Sequence, residues 1–412
     1  MRWFIFILLV GIADYYAFQA LRTITKGNWW YVLYWLFTLG VIGNFVYQFY
    51  GFNRSNGFSQ SNSLAVGFLI AMVVPKLVLI AIMFTEDVFR VPQGLYSYFM
   101  QDTGGENGVK HFPSRRKFIS QIGLGLAAIP FASILYGMYK GKYNFKVLKY
   151  VLHFEDLPSA FDGYQLTQIS DIHSGSFDNV DKVKYAIDLI NEQNSDVILF
   201  TGDMVNNKAT ELQPYVPIFK KLNAKDGLYS VLGNHDYGDY VRWNSEEEKI
   251  QNLENLKDLQ KEIGFDLLLN ENRFIEKNGE RLAIIGVENW GKGGFKKAGD
   301  LKRAIQGVDS DDFKVLLSHD PSHWDAEVVN DDYHYHLTLS GHTHGMQFGI
   351  EIPGVFKWSP VKWRYKHWAG IYEQLGQYIN VNRGFGYLAF PGRVGIWPEI
   401  TVIELKRGTK EA

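Results

Sequence analysis

Seven side chains able to ligate a metal ion recur through residues 168–345: Asp171, His173, Asp203, Asn234, His319, His342 and His344. They stand in five polar clusters, Ser170-Asp171-Ile172-His173, Thr201-Gly202-Asp203, Gly233-Asn234-His235-Asp236, Ser318-His319-Asp320 and Gly341-His342-Thr343-His344. Each cluster follows a run of apolar, β-prone residues. A single Asp-x-His is ordinarily a capping aspartate beside a surface histidine, but five clusters at five strand ends are not explained that way. Imidazoles mixed with carboxylates suit iron, zinc or manganese, whereas an all-oxygen set would suit magnesium or calcium. Seven ligands exceed the needs of one ion. Two ions sharing a bridging carboxylate would use them all, an arrangement that serves displacement at phosphorus. The chain has no cysteine, which excludes thiolate metal sites, disulfides and thiol catalysis.

Strands must deliver these clusters. Gln165 to Ser170, Val197 to Phe200 and Leu228 to Leu232 read as strands ending on the first three. Val180, Val183, Ile187 and Ile190 recur at helical spacing between the first two strands, with Asp178 as the expected N-cap. Open α/β sheets carry their sites at such strand ends, and Gly202 and Gly233 let the backbone turn sharply there. Beyond them, Ser245 to Ile263 predicts a helix with Glu246, Glu247 and Glu248 in its first turn. Asn278-Gly279 predicts a hairpin. Val315 to Leu317 and His336 to Leu339 lead into the last two clusters, and strands near Tyr378 to Val381 and Ile400 to Leu405 close the chain. The expected class is α/β, with two sheets packed face to face and helices outside.

The ordered set Asp-x-His, Gly-Asp, Gly-Asn-His-Asp, His and Gly-His-x-His resembles the signature of the calcineurin-like metallophosphoesterases, over about Leu166 to Leu405. The resemblance implies a two-sheet β-sandwich flanked by helices and a metal-dependent phosphohydrolase of phosphoric esters or diphosphates. Carried over by position, Asp171, His173, Asp203 and His344 would hold a first divalent or trivalent ion (Mn, Fe or Zn). Asp203, Asn234, His319 and His342 would hold a second, with Asp203 as the bridge. Such a dinuclear centre would supply hydroxide near neutral pH and neutralise charge at phosphorus. His235 matches the family's catalytic histidine, and Asp236 is expected to orient it and raise its pKa. Arg383 and Arg393 are candidates for substrate phosphate, with structural pairing as the competing role. His323, His334, His336 and His367 lie off the signature and read as surface or strand histidines.

The first third of the chain has a different character. Trp29 to Tyr50 and Phe118 to Tyr139 carry no charge, and each exceeds the ~20 residues needed to cross a bilayer core. Leu64 to Phe84, interrupted by Pro75-Lys76, and the run from Trp3, interrupted by Asp14, make three to four spans in all. Asp14 and Lys76 are expected to face other helices, with each other as candidate partners. Residues 1–142 thus form a transmembrane region and residues 143–412 the metallophosphoesterase domain. Lys and Arg counts favour both termini outside, with a cytoplasmic catalytic face as the alternative. Ser114-Arg115-Arg116-Lys117-Phe118-Ile119 resembles a twin-arginine export signal, or is an ordinary basic flank. The glycines at 104, 105 and 108 suggest a linker.

Phe356, Trp358, Trp363, Tyr365 and Trp368, interleaved with Lys357, Lys362, Arg364 and Lys366, suggest a segment at a membrane interface or an acyl-chain groove. The formal net charge of -2, with no basic stripe, gives no case for nucleic acid. A phosphorylated, lipid-linked substrate and membrane lipid are the expected partners. One form of this reading is an enzyme similar to the UDP-2,3-diacylglucosamine pyrophosphohydrolases of lipid A synthesis, and another is an extracytoplasmic phosphodiesterase. From a different class comes a non-catalytic membrane receptor or scaffold retaining the fold. Oligomeric state is not legible.

Overall fold

Four helices, each long and apolar enough to cross a membrane, open the chain: α1 (Arg2–Ile24), α2 (Asn28–Tyr50), α3 (Gln60–Met100) and α4 (Pro113–Tyr139). The computed structural model describes residues 2–100, 113–352 and 354–409. The expected linker at residues 101–108 lies outside them. At ~1.5 Å per residue, the 41 residues of α3 are about twice what a bilayer core needs, so the helix continues well past the expected end at Phe84.

Several buried polar groups of this helical unit are paired, which lowers the cost of placing them in hydrocarbon. Lys76 on α3 forms an ion pair with Asp14 on α1 and donates to Thr38 Oγ1 on α2 at 2.9 Å, while the Tyr34 hydroxyl donates to Asp14 Oδ1 at 3.2 Å. About three turns further along α3, Asp87 accepts from the Tyr16 hydroxyl at 2.6 Å and from Arg116 at 3.1 Å. The second arginine of the Arg115-Arg116 pair therefore ties α4 to α3.

The second compact unit comprises residues 139–412 together with 53–60, the loop between α2 and α3. Within this unit the Arg54 carbonyl accepts from the Arg242 amide at 3.3 Å, and Gln60 Nε2 donates to the Phe177 carbonyl at 3.1 Å.

The strands are β1 (Lys146–Phe154), β2 (Gln165–Ile169), β3 (Val197–Phe200), β4 (Leu228–Ser230), β5 (Phe265–Leu267), β6 (Glu271–Lys277), β7 (Glu280–Gly286), β8 (Phe313–Leu317), β9 (Leu337–Ser340), β10 (Ile350–Ile352), β11 (Phe356–Trp358), β12 (Gly370–Gln374), β13 (Gln377–Val381) and β14 (Glu399–Arg407). Two six-stranded sheets result, in the orders β1-β14-β2-β3-β4-β5 and β12-β13-β9-β8-β7-β6, with β10-β11 as a separate pair. Strand alternation sorts the core into layers. Val197 and Leu199 of β3 meet Leu282 and Ile284 of β7 between the sheets. Ile198 and Phe200 face outward onto α5 (Val180–Asn191) and α7 (Glu246–Ile263), with a short helical turn, α6 (Val216–Phe219), between those helices. Ala283 and Ile285 face Leu301 of α8 (Leu301–Ala304) and Trp324 of α9 (Ser322–Ala326).

Local signals mostly hold. Ser245 caps α7 through the Glu248 amide, and Asn278-Gly279 turns the β6–β7 hairpin. The α5 cap is Asn179, which accepts from Lys182 N at 3.1 Å. Asp178 lies one residue too early and is held by the Tyr143 hydroxyl at 2.8 Å and by Lys142.

Candidate metal centre

The C-terminal ends of β2, β3 and β4 in one sheet, and of β8 and β9 in the other, converge on one place. The loop after β2 carries Asp171 and His173; those after β3 and β4 carry Asp203 and the Asn234-His235-Asp236 run. The loop after β8 brings His319, and that after β9 brings His342 and His344. Two clusters of possible ligands result, Asp171 with His173 and His344, and Asp203 with His319 and His342. In the first, His173 Nε2 and His344 Nε2 lie 2.9 Å apart, and His344 Nε2 lies 3.2 Å from Asp171 Oδ1. In the second, Asn234 Oδ1 lies 2.8 Å from His342 Nδ1 and 3.2 Å from His319 Nε2. Asp203 Oδ2 joins the two, 3.6 Å from His173 Nε2 and 3.1 Å from His319 Nε2.

Backbone strain accompanies this convergence. Asp171, His173, Asp203, His342 and His344 have φ of 51°, 47°, 62°, 69° and 50°. Non-glycine residues held there cost of order 1–3 kcal/mol each, and such outliers cluster at functional sites. The strain points five side chains inward from tight loops that sheet pairing on either side holds in place. Gly341 makes room for it, since a Cβ there would overlap Ser170 Oγ and the Asp171 carboxylate.

Nearly all of these groups are buried, so their charges act on one another with little screening. Burial alone would raise Asp171 and Asp203, yet His344 beside the one and His319 beside the other hold both carboxyls well below the usual range. His319 is drawn up to about 10 against its burial, chiefly by Asp203. Burial pushes His173, His235 and His342 down. The site thus keeps the Asp171 and Asp203 carboxylates ionised and attracts positive charge, whereas burial and the neighbouring Asp203 push Asp236 up to about 7. Nitrogen lone pairs facing carboxylate oxygens are the donor set of borderline transition ions, and the residues fit two of them. His319 Nδ1 sits 2.7 Å from the Thr201 carbonyl, which leaves Nε2 as the ligating atom.

Several supporting residues carry no motif signal. Tyr365 Oη lies 2.8 Å from His342 Nε2, and Tyr240 Oη accepts from Asn234 Nδ2 at 2.7 Å, aiming Asn234 Oδ1 inward. Tyr240 also packs against the His235 ring at 4.3 Å. Tyr365 was visible only as one ring in the aromatic segment. His235 Nδ1 is 2.8 Å from the Asn206 carbonyl, a backbone partner that no residue type advertises.

Three expectations change. Asp236 does not orient His235: its carboxylate accepts from the amides of Asp203 (2.9 Å), Met204 (2.8 Å) and Gly233 (2.8 Å), clamping two ligand loops together. The carboxylate is fully occupied there, and the His235 pKa goes down, not up. Arg383 spends its donors on Glu351 and on buried Glu399, and Arg393 is fully buried with Nε on the Gly386 carbonyl at 2.8 Å and Nη2 3.2 Å from His344 Nδ1. Neither arginine presents a free edge to a substrate phosphate. His323 in α9 and His367 in a loop are buried, each against a carboxylate, and are neither surface nor strand histidines, whereas His336 stands immediately before β9, in keeping with a strand histidine, against Asp156.

Comparison with known proteins accounts for both units. Residues 164–346 match the family model for calcineurin-like phosphoesterases, and residues 1–142 match that for the transmembrane domain of calcineurin-like phosphoesterases. Over 299 residues the chain is 31% identical to the uncharacterized metallophosphoesterase YkuE of Bacillus subtilis, covering 71% of this chain and 98% of that protein. It is 26% identical to a transmembrane protein with metallophosphoesterase domain of Danio rerio, over 66% of this chain and 60% of the relative. An uncharacterized metallophosphoesterase of Aquifex aeolicus is 29% identical, over 67% of this chain and 98% of its own length.

Proposed function

Since the chain belongs to the calcineurin-like metallophosphoesterases and carries a four-span transmembrane domain ahead of the catalytic unit, we propose that it is a two-metal phosphoesterase acting on a lipid-linked phosphodiester or diphosphate. The observation that carries this reading is the position of Asp203, whose carboxylate stands between two clusters of ligand atoms. Asp171, His173, Asp203 and His344 would hold one ion; Asp203, Asn234, His319 and His342 would hold the other. When bound, two such ions supply Lewis acidity at the phosphoryl oxygens and a nucleophilic hydroxide near neutral pH.

The chain's own residues do the rest. His235, held through Nδ1 by the Asn206 carbonyl and backed by Tyr240, presents Nε2 as an acceptor while the ring is neutral, and gives a proton to the leaving oxygen or a hydrogen bond to the phosphoryl group from Nε2 when the ring is doubly protonated. Asp236 fixes the loops that carry Asp203 and Asn234. Arg364 takes the place that Arg383 and Arg393 do not fill. Its exposed guanidinium lies 5.2 Å from the Phe295 ring and 5.6 Å from the Tyr365 ring, and both rings pack against His342. A substrate phosphate at the centre would have that cation at its side. The catalytic unit is assigned to the extracytoplasmic side on the Lys and Arg distribution.

Full-length protein assayed for bound metal and for hydrolysis of bis(p-nitrophenyl) phosphate tests this reading. Asp203→Asn should lose metal and turnover together. His235→Ala should keep its metal and lose on the order of 10²–10⁴-fold in turnover. Retained activity in Asp203→Asn would sink the dinuclear reading, and metal loss in His235→Ala would remove His235 from its role.

A further inference from the structure

The β10–β11 hairpin is built inside out. It pairs Ile350 with Trp358, Glu351 with Lys357, and Ile352 with Phe356. Side chains alternate between faces along a strand, and here the charged pair, half-buried Glu351 and exposed Lys357, makes the contacts to the rest of the unit. Glu351 accepts from Arg383 Nε at 2.9 Å, and Lys357 Nζ donates to the Ala369 carbonyl at 2.5 Å while lying over the Tyr372 ring. The apolar side chains point out. Ile350, Ile352 and Phe356 are each more than half exposed, Val355 at the turn is 80% exposed, and Trp363, whose ring meets Trp358 edge-on at 6.0 Å, is 75% exposed. A hairpin facing water shows the reverse pattern. Scattered exposed apolar residues need no explanation, but a contiguous set of this kind marks a binding surface.

The surroundings indicate what covers it. Lys362 and Arg364 flank Trp363, are exposed, and form no ion pair among the described residues. Aromatic and aliphatic side chains rimmed by free cations match the boundary of an anionic bilayer, where rings sit at headgroup level and Lys and Arg meet lipid phosphates. The four spans also keep lipid at high local concentration around this unit, so a weak surface contact is enough.

The hairpin is bolted to the metal centre. Ser359 Oγ donates to the Gly345 carbonyl at 2.7 Å, one residue past His344, the Gly349 amide donates to the Val394 carbonyl at 2.9 Å, and Tyr365 contacts His342.

We infer that residues 350–364 form a bilayer-docking element that seats the catalytic unit on an anionic lipid surface and presents its metal centre to headgroup phosphates. The lipid-headgroup substrate rests on the phosphoesterase reading above; the docking itself does not. The absence of cysteine makes the test direct. Full-length Val355→Cys and, as control, Tyr185→Cys on exposed α5 would each carry an environment-sensitive fluorophore. Each would be reconstituted in phosphatidylcholine vesicles containing phosphatidylglycerol and a nitroxide-bearing lipid.

Quenching at residue 355 with none at 185 is the expected result. An unquenched label at 355, or a disulfide-linked dimer of Val355→Cys in its place, would overturn the proposal, the latter by assigning the face to a second copy. In parallel, Phe356→Ser combined with Trp363→Ser should lower hydrolysis of a vesicle-borne phospholipid and leave bis(p-nitrophenyl) phosphate hydrolysis unchanged. Equal loss on both would overturn a docking role. A wild-type protein that hydrolyses neither would refute the phosphoesterase reading, while the quenching result would still decide the docking.

Discussion

At the scale of single residues, the centre depends on groups that aim ligands as much as on the ligands. Asn234 can turn either its oxygen or its nitrogen inward, and the Tyr240 hydroxyl settles the matter by accepting from Nδ2 at 2.7 Å. Outer partners of this kind are typically worth about 10–100-fold in metal affinity. Tyr240→Phe keeps the ring against His235 and removes only that acceptor. Metal titration should therefore show affinity falling by about that factor with an unchanged thermal midpoint; an unchanged affinity would mean that Asn234 is oriented by its loop alone. Buried Arg383 and Glu399 teach the complementary lesson, since an arginine beside a motif need not face the substrate.

At the scale of elements, strand ends are held by buried polar contacts that respond to pH. His336, just ahead of β9, accepts from the Lys314 amide of β8 at 2.9 Å through Nδ1, and its Nε2 lies 2.8 Å from Asp156. Burial, opposed by Asp156, pushes its pKa down to about 4. The unfolded chain binds this proton near 6.5 and the folded chain only near 4. The site's contribution is therefore complete above pH 6.5 and is lost as pH falls toward 4. The largest loss is about 3 kcal/mol at ~1.4 kcal/mol per pKa unit. Thermal unfolding of His336→Gln across that window should show a shallower decline than the wild type. Parallel curves would place the acid sensitivity elsewhere.

At the scale of the whole molecule, four spans, if all four cross, put the α2–α3 loop and the C-terminus on one side of the membrane. Single cysteines at Ser55 and after Ala412 should be labelled from the same side by an impermeant maleimide, and one at Lys26 from the opposite side. Labelling of Ser55 and the C-terminus from opposite sides would remove one span. Labelling of both only from the cytoplasmic face would reverse the proposed orientation, and would bring forward a cytoplasmic nucleotide-linked lipid as the substrate to test.

The sequence by itself pointed to the candidate ligand set, to the strands that deliver it and to three or four spans. Metal ligands are sparse residue types placed at strand ends, and both apolar alternation and long uncharged runs are local properties of the chain. It also left Asp14 and Lys76 with few places to go except toward each other. What only the tertiary structure decided concerns groups brought together from distant segments. Asp236 serves the loops and not His235, Arg383 and Arg393 turn inward, and the loop at 53–60 joins the catalytic unit. Tyr240, Tyr365 and the Asn206 carbonyl shape the centre without any spacing rule. The exposed face of the β10–β11 hairpin has the same origin. Its residues alternate as in any strand, and only the positions of Arg383 and Ala369 show that the charged side is the one in contact with the rest of the unit.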